Sequence, residues 1–299
     1  MKILIIGSRG FIGSHCVDYF SKEHEVWECD VVIDYDRPRY IFIESVDSDF
    51  QDIFINQKFD VCINCSGAAN VPFSLEKPYN DFQLNTLNVF KILDAIRRFN
   101  NDCRYINMSS AAVYGNPISL PISELYDYAP VSPYGYHKQM AEMICEEFHR
   151  FWGVSTCCIR IFSAYGPRLK KQILWDIANK AIKNDIVELF GTGHETRDFI
   201  YVSDLIHLID IVIAKATFKG DIINAANGTQ IEIGEIARLT LKALGCDKRL
   251  VFKGENRKGD PLYWEADITR ARELGYGQRI DIETGINQYV KWLKENALL

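Results

Sequence analysis

Lys2-Ile3-Leu4-Ile5-Ile6-Gly7-Ser8-Arg9-Gly10-Phe11-Ile12-Gly13 stands near the start of the chain, and its reading decides the fold. A short apolar run bounded by glycine suits a strand buried on both faces. Behind the glycines, Phe11, Ile12, Val17 and Phe20 recur at helical spacing. Strand, glycine turn and helix in that order bring backbone N–H groups to the positive end of a helix, where a pyrophosphate can be held. A glycine loop alone serves equally as a plain βα turn. Here an acidic residue, Asp30, closes the second apolar run at about the distance expected of a ribose-binding carboxylate. Gly7, Arg9, Gly10, Phe11, Ile12, Gly13 and Asp30 are therefore candidate dinucleotide contacts. Asp30 favours NAD, because the 2′-phosphate of NADP would meet its charge. Arg9 pulls toward NADP, since a guanidinium in the loop could hold that phosphate. NAD is the expected cofactor and NADP the alternative. Asp47, after the third run, reads either as an adenine contact or as a helix N-cap.

Outward from that turn the rhythm repeats. Apolar runs at Lys2–Ile6, Glu25–Cys29, Tyr40–Ile43, Val61–Cys65, Arg104–Met108, Thr156–Ile161 and Asp221–Ala225 read as strands. Helical spacing between them, as in Leu87, Phe90, Leu93 and Ile96, implies parallel crossovers. After about Ser163 the rhythm loosens, with helices expected near Gln172–Asn184, Ser203–Lys215, Ile233–Leu244 and Asp281–Asn296. The expected fold is α/β: a doubly wound parallel sheet of the Rossmann type with a smaller C-terminal lobe. The division places residues 1–163 in a dinucleotide-binding domain, to which segments around 198–226 return, and residues 164–299 mainly in a substrate lobe.

Composition narrows the function. The chain has 299 residues, 47% hydrophobic and 25% charged, with a net charge of −6, so neither nucleic acid nor an anionic membrane is an expected partner. The first apolar run is too short for a secretory signal, and Leu205–Ala214 is broken by His207 and Asp210. Nine cysteines without zinc spacing read as reduced, packed thiols in a cytoplasmic protein, with no metal site expected.

A second chemical signal is Tyr134-Gly135-Tyr136-His137-Lys138, with Ser109-Ser110 upstream. Tyr134 and Lys138 are four apart and share one helix face. An ammonium beside a phenol stabilises phenolate, as does an oxidised nicotinamide, so Tyr134 is expected to titrate closer to neutrality and act as a general base. Ser110, read as lying just beyond the fifth strand, falls at the carboxyl edge of the sheet, where it can share the proton of a reacting alcohol. A lone Tyr-x-x-x-Lys is more often a solvated helix face; the glycine loop and the strand-end serine weigh against that.

With these motifs in place the chain resembles the NAD-dependent epimerase/dehydratase family of nucleotide-sugar enzymes, the extended short-chain dehydrogenase/reductases. The resemblance runs through Asn85, Ser109-Ser110-Ala111-Ala112-Val113-Tyr114-Gly115, Ser132-Pro133-Tyr134-Gly135 and Arg160-Ile161-Phe162-Ser163 to Gly166-Pro167-Arg168. It continues in Gly191-Thr192-Gly193, Arg197-Asp198-Phe199-Ile200, Asp204 and Arg257-Lys258-Gly259-Asp260-Pro261. It implies that Tyr134 is the base, that Lys138 holds the nicotinamide ribose and that Ser110 orients the sugar hydroxyl. It also implies that Cys65, Ser66, Gly67, Asn85 and Ser109 line the cofactor. Ser163, Arg197, Arg257 and Asp260 would line the nucleotide-sugar, the arginines being surface ion pairs in the plainer reading.

Departures from the family pattern carry information. An Asp-Glu pair that supplies acid and base for dehydration is Ala111-Ala112 here, which speaks against water loss. Ser163 stands in place of an asparagine and Asn64 in place of a histidine, while Tyr263-Trp264 put bulk where a small gate residue admits N-acetyl sugars. The implied reaction is C4 inversion of a nucleotide-hexose through a transient ketone. A one-way keto-sugar reductase or dehydrogenase is the first alternative, and a non-catalytic dinucleotide-binding protein the second. A homodimer through helices near Asp81–Phe99 and Tyr134–Phe151 is the implied assembly, although their apolar residues suit a core equally well.

Overall fold

A computed structural model of the chain describes residues 1–34, 36–44, 48–255, 259 and 261–298. Asp47, Arg257 and Asp260, singled out above, lie outside the described residues. Strand β1 (Lys2–Ile6) leads into α1 (Phe11–Phe20), β2 (Glu25–Asp30), β3 (Tyr40–Phe42), α2 (Gln51–Asn56) and β4 (Val61–Asn64). Short helices α3 (Val71–Glu76) and α4 (Pro78–Phe82) pass through a π-helical turn, Gln83–Leu87, into α5 (Asn88–Phe99). Then come β5 (Arg104–Ser110), α6 (Pro133–Trp152), β6 (Thr156–Ile161) and β7 (Ser163–Tyr165). The remainder comprises α7 (Gln172–Lys183), β8 (Ile186–Leu189), β9 (Thr196–Tyr201), α8 (Val202–Lys215), β10 (Lys219–Ala225) and β11 (Gln230–Glu232). It closes with α9 (Ile233–Leu244), β12 (Arg249–Phe252), α10 (Thr269–Leu274) and α11 (Ile282–Glu295).

All seven apolar runs read from the sequence are strands of one parallel sheet, ordered β3-β2-β1-β4-β5-β6-β10. Side chains alternate between its two faces, as the strand period requires. Ile3 and Ile5 join the core built with Val17 and Phe20 of α1 and Leu205 and Ile209 of α8. Leu4 and Ile6 join the opposite core, with Ile92 and Leu93 of α5 and Phe148 of α6. Burying each such side chain stabilises the fold by roughly 1.5–3 kcal/mol. Two small sheets, β11-β9-β7 and β12-β8, carry the later segments. Among the described residues no helix is long and apolar enough to cross a membrane.

Register places the functional edge. Ile6 pairs with Cys29 on one side and Asn64 on the other, so the next residues, Gly7, Asp30 and Cys65, emerge side by side. Chain connections diverge at β1, and the crevice beyond the carboxyl ends there is where open α/β sheets bind ligands. Ser110 is the last residue of β5 rather than one beyond it, because Ser109 and Ser110 extend the ladder opposite Arg160 and Ile161.

Candidate active site

The glycine turn is as tight as the spacing implies. Gly10 N–H donates to Gly7 O at 3.1 Å, and a Cβ on Gly13 would lie 2.0 Å from that same oxygen, so no larger residue fits. Helix α1 begins behind it with Gly10 as N-cap and no side-chain cap, leaving its first N–H groups for a ligand. Phe11 and Ile12 form its first turn, half-buried. Asp30 is buried and braces the turn: Oδ2 accepts from Arg9 N–H at 2.8 Å, and Oδ1 from Val31 N–H at 2.7 Å. Across the crevice Cys65 donates its N–H to Ile6 O at 2.8 Å, and its thiol is hydrogen-bonded with Cys16 of α1. Asn64 fixes the next residue, its Oδ1 accepting from Ser66 N–H at 3.1 Å and Oγ at 2.5 Å.

Helix α6 carries the candidate proton-handling pair. It starts cleanly, with Ser132 Oγ accepting from Gly135 N–H at 3.2 Å, Pro133 in its first turn and a left-handed Gly153 at its end. Tyr134 and Lys138 share a face, with the ammonium 6.0 Å from the phenol ring centroid. Lys138 Nζ is buried and donates to Met108 O at 2.8 Å, on the strand next to Cys65. Burial pushes Lys138 down to about 8, against the raising influence of the Asp81 carboxylate. Burial likewise pushes Tyr134 up to about 12, while a hydrogen bond with Ser110 draws it back. Among the protein's own groups, burial and the Asp81 charge outweigh the hydrogen bond with Ser110, which leaves the expected lowering to the nicotinamide charge. Ser110 Oγ accepts from Ala112 N–H at 3.1 Å, which leaves its own proton to be donated.

Asn85 sits in the π-helical turn, a distortion that often marks functional sites. Its Nδ2 donates to Ala68 O and Asp81 Oδ1, both at 3.0 Å, and its buried Oδ1 has no hydrogen-bond partner. A Cβ on Gly67, which has φ +114, would lie 2.6 Å from that oxygen and 3.5 Å from Lys138 Nζ. Asn85 and Lys138 thus converge over Gly67, around a gap only glycine leaves. Asp81, fully buried, completes the group with His137 Nδ1 at 2.6 Å from its Oδ2.

Behind the pair lies a buried network that sequence reasoning missed. Glu142, one turn beyond Lys138, receives Arg160 Nε at 3.0 Å and Nη2 at 2.7 Å, together with the hydroxyls of Tyr128 at 2.8 Å and of Ser109. Ser109, grouped with the cofactor contacts above, thus gives its hydroxyl to Glu142. Arg160 Nη1 continues to Tyr114 Oη at 2.8 Å, and Tyr114 donates to Asn224 of β10 at 2.7 Å. The helical spacing of Lys138 and Glu142 was the one available signal. The other partners lie far apart in sequence.

On the far side, Arg197 of β9 donates to Thr196 O at 2.8 Å and lies over the Trp264 ring at 5.5 Å. Trp264 is buried and donates to Gly115 O at 3.0 Å, whereas Tyr263 is exposed, so the outward bulk at this position is tyrosine. Asp198 is buried and accepts from Asn227, Thr229 and Ala266 N–H groups, and burial pushes it up to about 6. Ser163 begins β7, paired to Phe199 beside Arg197.

The sequence matches the NAD-dependent epimerase/dehydratase family over residues 3–226. The chain belongs to that family. Its glycine turn, strand-end Ser110 and Tyr134–Lys138 pair all lie within the matched segment. Among similar proteins, a UDP-glucose 4-epimerase of Lactobacillus helveticus is 29% identical over 99% of this chain and 98% of its own length. A UDP-glucuronic acid 4-epimerase from Bacillus cereus, solved with UDP-glucuronic acid and NAD, is 25% identical. It superposes with a TM-score of 0.90, covering 99% of this chain and all of its own. A UDP-N-acetylglucosamine 4-epimerase from Methanobrevibacter ruminantium, at 24% identity and a TM-score of 0.89, shares the fold over 99% of this chain and 98% of its own. This epimerase/dehydratase chain is thus similar to enzymes of UDP-sugars along its whole length.

Proposed function

We propose that the chain is an NAD-dependent epimerase that inverts C4 of a UDP-hexose through a transient 4-keto sugar. The observation that carries this is the convergence of Ser110, Tyr134 and Lys138 at the carboxyl end of β5, with Asn85 and Lys138 closing over Gly67. The relatives from L. helveticus and B. cereus support the reading, since both are named UDP-sugar 4-epimerases and the second was solved with NAD. Bound NAD supplies the hydride acceptor, and in its reduced form the donor.

This chain's residues do the rest. Gly7, Arg9, Gly10, Phe11, Ile12 and Gly13 cradle the pyrophosphate, and Asp30 takes the adenosine ribose. Lys138 and Asn85 hold the nicotinamide ribose, against a wall formed by Cys65, Ser66 and Gly67. Tyr134 accepts the proton of the 4-hydroxyl and returns it after the ring has turned, and Ser110 donates to the same oxygen. Because burial alone raises the phenol, Tyr134 acts as a base only with a cationic nicotinamide beside it. Arg197 and Ser163 line the nucleotide-sugar, as would Arg257 and Asp260 on their sequence pattern; Asp47 belongs to the adenine side on the same ground. Residues 1–163 and the strands that return to their sheet hold the cofactor, and residues 164–299 mainly the sugar nucleotide. The absence of acidic side chains at Ala111 and Ala112 disfavours dehydration. The enzyme works in the cytoplasm as a homodimer through α5 and α6.

Replacing Tyr134 with Phe tests the proposal. Turnover of UDP-hexose should fall by about 10²–10⁴ while NAD stays bound, read by its fluorescence after reduction. Undiminished turnover would remove Tyr134 from the chemistry.

A further inference from the structure

Asp30 and Arg9 make opposite demands on the adenosine ribose, and a third residue decides between them. Both Asp30 oxygens are already engaged by backbone N–H groups, Oδ2 by Arg9 at 2.8 Å and Oδ1 by Val31 at 2.7 Å and Val32 at 3.3 Å. Its charge stays in place, but it makes no contact with the Arg9 guanidinium that the structure shows. That guanidinium turns to Asp34, with Nη2 3.5 Å from Oδ2. The same Oδ2 lies 3.6 Å from Arg37 Nε, and Arg37 also pairs with Glu28. Asp34 is the least exposed of the three, at 23% against 36% for Arg9 and 42% for Arg37. Two forked cations therefore converge on one carboxylate at the loop after β2, next to Asp30.

A pair of guanidinium groups in this arrangement is what a phosphate dianion needs, since each fork can give it two parallel hydrogen bonds. A carboxylate between them forms an ion pair with each and adds negative charge beside Asp30. Glu28, buried on β2 with Oε2 lacking a hydrogen-bond partner, adds to the same field. We propose that Asp34 makes this site select NAD over NADP, by occupying the two-arginine fork that a 2′-phosphate would otherwise fill. The inference rests on the dinucleotide reading above and names the residue that sets its preference. Without Asp34, Arg9 and Arg37 face the 2′ position and offset the repulsion from Asp30.

The test is calorimetric titration of the nucleotide-free full chain with NAD and NADP, which needs no turnover. Asp34→Asn keeps size and polarity and removes only the charge. It should raise the relative affinity for NADP over NAD by about tenfold or more, the scale of one charge-assisted hydrogen bond gained. Adding Arg9→Ala to that variant should cancel most of the gain. If the wild type prefers NAD but Asp34→Asn leaves the ratio unchanged, the role of Asp34 is overturned and the NAD reading stands. A gain that survives Arg9→Ala also overturns the fork. A wild type that binds neither dinucleotide, or prefers NADP, overturns the NAD reading and the inference together.

Discussion

Tyr134 is buried, and its phenol is held up by that burial, so its reactivity depends on the cations placed beside it. Losing the phenolic oxygen in Tyr134→Phe should lower kcat by about 10²–10⁴, the usual worth of a positioned acid–base group. On the proposed mechanism Lys138 sets the pH dependence. Its ammonium is pushed down to about 8, so it is present below that pH and lost as the pH rises through it. Activity should accordingly fall on the alkaline side with a midpoint near 8, read from kcat/KM against pH. Asp81 raises Lys138, so Asp81→Asn should move that limb to lower pH; a limb that stays in place would remove Asp81 from the proton balance. Tyr134, Lys138 and Ser110 were legible because spacing on one helix and position at a strand end are local signals. Asp81 with His137 and Asp34 with Arg9 were not, because their contacts join residues brought together only by the fold.

At the scale of elements, α6 does two jobs: one end carries Tyr134 and Lys138, and its middle carries Glu142, which ties it to β6 through Arg160. Both partners are almost wholly buried, at 2% and 1% side-chain exposure, so removing one leaves an uncompensated charge. Glu142→Ala should cost about 3–5 kcal/mol of stability, read from the urea midpoint. A loss well under 1 kcal/mol would show the pair to be dispensable. The strands of the parallel sheet were readable from their apolar runs, since burial on both faces writes itself into continuous apolar residues, and only β3 (Tyr40–Phe42) among them is half-buried throughout. Strands such as Ser163–Tyr165 and Gln230–Glu232 were not, because their mixed polar and apolar residues leave no continuous apolar run. The π-helical turn that sets Asn85 was also invisible, because hydrophobic spacing does not distinguish it from an α-helix.

For the whole molecule, the two cores on either side of one parallel sheet fix the crevice at its carboxyl edge. Apolar side chains left exposed on α5 and α6, among them Phe90, Met140, Met143 and Phe151, suit a second copy of the chain. Sedimentation should therefore give a dimer that Met143→Glu dissociates to a monomer; a wild-type monomer would contradict that assembly. Fold class and cofactor motif were open to the sequence because they depend on periodicity and on one glycine turn. The surroundings of Arg197, Trp264 and Asp198 were not, because they come from strands and loops far apart in the chain. The central claim is retained-cofactor inversion at C4. Its most direct measurement is incubation of the purified protein, with no cofactor added, with a panel of UDP-, GDP-, dTDP- and CDP-hexoses, following the anomeric protons by NMR. Interconversion of one UDP-hexose C4 epimer pair is the predicted result. Conversion only after NADH, NADPH or NAD is supplied in stoichiometric amount would contradict it and leave a one-way reductase or dehydrogenase.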